Sequence, residues 1–120
     1  MGLTYVTVRL STDLKSRKHF TSEFLIDTDA TNSLAPGKAL RKAGIKPVGK
    51  TAYELANGRV EEYEFGLATI RFMGEITSGR VIFGDDDIEQ LLGVTALESV
   101  GIVVDAAKKT LKRLPAIPLK

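Results

Sequence analysis

The chain has 120 residues, 17 Lys+Arg against 15 Asp+Glu, 43% hydrophobic residues and no cysteine. That composition fits one small globular domain over residues 1–120. It excludes a disulfide framework, a thiolate zinc site and a cysteine nucleophile. A formal charge of +2 is too mild to draw in nucleic acid or a membrane surface.

The opening residues have neither a basic leader nor a sustained apolar stretch, and Val6 stands where an acylation motif wants Ser or Thr. A soluble, cytoplasmic protein with no membrane partner is expected. Thr4 to Leu10 alternates with period two and is rich in β-branched residues, and a polar stretch from Ser11 to Lys18 leads to a second strand-like run, His19 to Ile26. This predicts a β-hairpin. Ala35 to Ala43 carries Pro36 near its start and Gly44 just past its end, which predicts a short helix.

Lys50 to Phe72 places two extended segments around Asn57-Gly58, a dipeptide suited to the positive φ angles of a tight turn, and so predicts a long projecting hairpin. A further strand runs from Ile76 to Phe83 and leads into Asp85-Asp86-Asp87. Thr95-Ala96-Leu97-Glu98 has the spacing of a capping box for a second short helix ending near Gly101. Ile102 to Val104 and Thr110 to Leu114 are strand-like around a polar turn, so strands dominate and the fold class is mainly β.

The segment richest in chemistry is Phe24-Leu25-Ile26-Asp27-Thr28-Asp29-Ala30-Thr31-Asn32-Ser33, where an apolar strand delivers an acid at its end and the chain then turns through small polar residues. It resembles the active-site segment of retroviral-type (retropepsin-like) aspartic proteases, in which two apolar residues precede Asp-Thr-Gly-Ala. The hairpin around Asn57-Gly58 is similar to that family's flap, and Gln90 to Leu97 to its apolar-apolar-Gly segment before the C-terminal helix. The resemblance implies a retropepsin-like fold with one or two short helices. One such segment per chain further implies a homodimer whose two Asp27 side chains form the catalytic pair.

Two carboxylates held close together cannot both ionise cheaply, so they share a proton; one then activates water while the other polarises the peptide carbonyl. On the resemblance, Asp27 is the catalytic acid/base, Thr28, Asp29 and Ala30 support it, and Leu55, Ala56, Asn57, Gly58, Arg59 and Val60 form the flap over a peptide or protein substrate. No cofactor is implied. Asp29 departs from the family pattern, which has Gly there. It adds a Cβ and further negative charge near the axis, leaving two readings open: an endopeptidase, or a catalytically impaired module that binds peptides in the same groove.

Other candidates have plainer roles. Asp27 taken alone reads as a turn carboxylate capping nearby amides. Asp105 ends an echo of the Asp27 strand but lacks the Thr-small-Ala continuation, and reads as a turn residue. Asp85-Asp86-Asp87 reads as a solvated loop or helix start, so no metal is named. His19, the only histidine, reads as structural, Ser33 as a turn or capping hydroxyl, and Tyr53 and Tyr63 as hairpin packing. Lys108, Lys109, Lys112 and Arg113 read as a solvated strand face; no nucleic-acid partner is expected.

Overall fold

The computed structural model describes residues 4–105, 107–108 and 110–120. In chain order the elements are β1 (Tyr5–Ser11), β2 (Phe20–Asp27), β3 (Ser33–Pro36), α1 (Gly37–Lys42), β4 (Gly49–Glu54), β5 (Val60–Phe72), β6 (Glu75–Gly84), β7 (Leu91–Gly93), α2 (Val94–Ser99), β8 (Ile102–Asp105) and β9 (Thr110–Arg113). No helix among the described residues is long and apolar enough to cross a membrane.

Seven strands lie in the order β1-β2-β7-β3-β6-β5-β4, and β1 also pairs with β5, so six of them close on themselves and β4 is left as an appended edge. Closure follows from the length of β5. Val60 to Phe65 pair with β4, Phe65 to Phe72 pair with β6, and Thr69 to Phe72 reach β1 as well. One end of the strand therefore builds a hairpin while the other completes the barrel.

Alternation in the strands sends one side chain in two to the interior. Val8 and Leu10 of β1, Phe24 of β2, Ile70 and Phe72 of β5, Val81 and Phe83 of β6, and Leu92 of β7 are all buried together. Leu40 of α1 and Leu97 of α2 plug onto the same cluster. Each large side chain removed from water there contributes roughly 1.5–3 kcal/mol. Among the described residues, β8 pairs only with β9, and Arg113 of β9 ties that small sheet back to the barrel through Glu75 and the Met73 carbonyl.

The expected hairpins, the helix stop at Gly44 and the paired last strands are present. At Gly44, the Gly44 amide donates to Arg41 O and the Ile45 amide to Leu40 O (both 3.0 Å), a Schellman closure in which Leu40 and Ile45 are both buried in the core.

Two expectations are corrected. Ala35 and Pro36 belong to β3, because Ser33 to Pro36 pair in parallel with Val81 to Gly84, and the helix begins only at Gly37. Thr95 caps nothing: the N-cap is Gly93 without a side-chain bond, and the Val94 and Thr95 amides instead donate to Ala30 O (2.8 Å) and Thr31 O (3.3 Å). With those orphan donors satisfied by a crossing loop, a capping box is not needed. Of the two readings of Asp85-Asp86-Asp87, the solvated loop holds: the run is exposed, is closed by Ile88 N–H to Asp85 O (3.1 Å), and starts no helix.

The hairpin turns also differ from the expectation. Only Gly58 of the Asn57-Gly58 pair has positive φ, +86°. The Gly58 amide donates to Leu55 O (2.9 Å) and the Leu55 amide to Arg59 O (2.7 Å), while Asn57 Oδ1 accepts from the Arg59 amide. This is a wider tip with a glycine bulge rather than a two-residue turn. The two-residue turn lies elsewhere, at Met73 (φ 52°) and Gly74 (φ 77°), between paired Phe72 and Glu75.

Candidate active site

Asp27 is the last residue of β2, held between β1 on one side and β7 on the other. Leu25, Ile26 and Asp27 run parallel to Leu91, Leu92 and Gly93. The acid thus leaves a strand paired on both sides within the barrel wall and is itself half-buried, whereas Thr28 and Asp29 are exposed. Immediately after it the chain turns: the Ala30 amide donates to Asp27 O (3.2 Å) and the Asp29 amide to Asp27 Oδ1 (3.0 Å). The side chain of Asp27 therefore does cap its own turn, as expected from the residue alone, and that bond also fixes its orientation.

Residues 30–33 then cross directly over the junction of β7 and α2. A Cβ on Gly93 would lie 2.6 Å from the Asn32 carbonyl carbon and 2.7 Å from Thr31 O, so only glycine lets the two backbones pass at this distance. Ser33, 2% exposed, completes the crossing: its Oγ accepts the Gly93 amide at 3.1 Å. Ser33 is a strand residue bracing the loop, which refines its expected turn role. The apolar-apolar-Gly segment has this physical content: Leu92 anchors the core, and Gly93 lets the acid-bearing loop lie flat on it.

Asp29, where a Gly was expected, occupies the turn without backbone strain. Met73 is the only described non-glycine residue with positive φ, so the turn does not demand a glycine conformation at this position.

Above the turn, the β4–β5 hairpin leans over the loop. Tyr53 Oη donates to Asn32 Oδ1 (3.0 Å) in a partly buried contact, and the Tyr53 and Tyr63 rings pack at 6.4 Å, tilted 59°. The Tyr63 hydroxyl donates to Glu61 Oε2 (3.0 Å); this bond, assisted by desolvation and the Glu61 charge, holds it above the ordinary phenol range. It therefore stays a protonated donor at all pH values below that range, and its contribution fades only as alkaline pH approaches it.

Between loop and hairpin lies a groove of about 420 Å³. Asp29 and Ala30 from the loop and Leu55 from the hairpin line it, together with Asn32, Leu34, Tyr53, Glu54, Tyr63, Ile82, Asp85 and Ile88. Asp27 and Thr28 stand beside the groove rather than in its wall, and the tip residues Ala56, Asn57, Gly58, Arg59 and Val60 are exposed beyond it. Tyr53 and Tyr63 were expected only as packing. Their equal parity on the two arms of one hairpin was the signal that they share a face; their closure onto Asn32 depends on barrel curvature and has no local signal.

The remaining candidates are not gathered here. Asp105 lies in the separate β8–β9 sheet and its Oδ1 accepts the Lys108 amide (3.1 Å), as a turn residue would. Ala106 and Lys109 of that turn lie outside the described residues. His19 contacts Thr21 Oγ1 through Nδ1 (2.8 Å) on the surface. Among the described residues no group of three or more His, Asp or Glu is arranged to hold a metal.

Comparison with known proteins agrees with this geometry. The family model described as aspartyl protease matches residues 12–96, from the β1–β2 turn into α2. The solution structure of simian foamy virus (mac) protease superposes with a TM-score of 0.55 at 15% sequence identity, covering 78% of this chain and 91% of that one. No curated protein matches the chain. With the strand-borne acid, the crossing at Gly93, the overhanging hairpin and the family match all on the same segment, the chain belongs to the aspartyl protease family and has a retropepsin-like fold.

Proposed function

We propose that the protein is an aspartic endopeptidase in which two copies bring their Asp27 carboxyls together on a two-fold axis. The observation that carries this reading is the placement of Asp27: a carboxylate at the end of a barrel strand, its backbone locked by β7, beside a groove roofed by a hairpin. One chain supplies one such acid, and a C2 pairing supplies the second from an identical surface.

In the dimer one carboxyl is ionised and its neighbour protonated, since like charges at short range cannot both persist. The ionised Asp27 accepts a proton from a water as that water's oxygen bonds to the scissile carbonyl carbon. The protonated Asp27 donates to the carbonyl oxygen, giving a tetrahedral diol. Breaking the C–N bond passes a proton to the leaving amine and returns the pair to its starting state. Thr28 beside each acid braces the two loops across the axis, and Leu55 to Val60 close over the substrate as a flap. β4 is the terminal strand of its sheet, and its outer edge supports pairing with an extended peptide backbone.

The test is peptide cleavage at mildly acidic pH by wild type, Asp27→Asn and Asp29→Gly, compared at equal dimer fraction because a shift in assembly imitates a change in chemistry. Wild type is expected to cleave, and Asp27→Asn to lose a factor of about 10³ or more in kcat, the scale of lost acid–base catalysis. Asp29→Gly measures the cost of the extra carboxylate. If neither wild type nor Asp29→Gly cleaves any member of a broad peptide library, the peptide-binding module replaces the endopeptidase.

A further inference from the structure

We infer that the groove selects polypeptides carrying a basic side chain next to an apolar one, and that Asp29 is one of the residues that reads the basic group. The inference rests on the proposed function only in taking the ligand to be a polypeptide. The floor of the groove is apolar, with Leu34, Ile82 and Ile88 among its residues, while three acidic residues, Asp29, Glu54 and Asp85, are part of its walls. They come from three separate places in the chain: the turn after β2, the end of β4 and the loop after β6. No lysine or arginine among the described residues lines it.

The negative wall is not inherited from the molecule, whose formal charge is +2. Nor is it neutralised locally. The ion pairs found among the described residues engage Glu64, Glu61 and Glu75, leaving these three carboxylates outside them. Acids converging on a concavity with low-dielectric walls focus negative potential into it. A lysine or arginine suits such a site doubly, since its aliphatic stem lies along apolar surface while its charged end stays at the wet rim. An acidic side chain there meets only like charge.

This gives Asp29 a positive role. Its backbone sits unstrained and its amide orients Asp27, so the side chain is free to act on the ligand rather than on the turn.

The experiment titrates full-length Asp27→Asn protein with two acetylated, amidated octapeptides of identical apolar centre, one flanked by lysine and one by glutamate, read by fluorescence anisotropy at low and high salt. The lysine peptide is expected to bind roughly three- to tenfold tighter, the sum of a few exposed charge pairs, with the advantage shrinking in salt. Neutralising all three acids (Asp29→Asn, Glu54→Gln, Asp85→Asn) is expected to bring the two peptides to parity, and Asp29→Asn alone to remove part of the difference. Asp87→Asn, outside the groove, is expected to leave it intact. Equal or tighter binding of the glutamate peptide overturns the inference, as does a preference that survives triple neutralisation or the absence of binding by either peptide. Cleavage of the same peptides by wild type separates the two claims. Lysine-selective binding without cleavage removes the endopeptidase and keeps the selectivity; cleavage of both peptides at equal kcat/KM, with equal binding, does the reverse.

Discussion

Two residues set the geometry at the candidate site, and neither carries the proposed chemistry. Gly93 permits the acid-bearing loop to lie against β7, since any Cβ there would sit inside the van der Waals radius of the Asn32 and Thr31 backbone. The obstacle is backbone held by a buried serine, so it has no flexible end to move aside. Gly93→Ala is therefore expected to destabilise the fold by about 2–3 kcal/mol, the upper range for overpacking, and chemical denaturation would read it. A loss below about 0.5 kcal/mol would show that the loop shifts freely and that Asp27 is not rigidly placed. Asp29 illustrates the opposite case: it stands where the family pattern has Gly, and the turn is an ordinary one in which its amide serves Asp27.

At the scale of elements, the β4–β5 hairpin joins the barrel wall to the groove. The long strand β5 gives it a rigid base, and Tyr53 ties its inner face to Asn32. Tyr53→Phe keeps the ring packing on Tyr63 and removes one hydrogen bond, worth about 1 kcal/mol. Amides of residues 50–60 are expected to exchange with solvent roughly fivefold faster as a result, while those of Glu75–Gly84 keep their protection. Unchanged exchange in the hairpin would show that the tether does not restrain it.

Much of this was legible in the sequence, because period-two alternation and the Gly44 stop are local signals. What escaped depends on contacts far apart in the chain. The strand β3 is four residues long and exists through pairing with β6 and β7. The first turn of α2 is satisfied by carbonyls over sixty residues earlier in the chain. The turn at Met73-Gly74 places a methionine in the left-handed region, against its intrinsic preference by roughly 1–2 kcal/mol, because the paired β5 and β6 leave only two residues for the connection. The Asp27 segment was legible as a motif, while the groove walls from Glu54 and Asp85 were not, since nothing local links them to it.

For the whole molecule, the closed barrel carries a single Asp27 segment, so the proposed activity is a property of two copies. The most direct measurement is peptide cleavage across a dilution series of wild type, and then at one fixed wild-type concentration with inactive Asp27→Asn protein added at increasing ratio. The account predicts that specific activity falls on dilution below the dimer's dissociation range, and that added Asp27→Asn chain suppresses the remaining activity by capturing wild-type chains in mixed dimers with one functional acid. Activity that stays proportional to wild-type concentration at monomer mass, untouched by the Asp27→Asn chain, would contradict it.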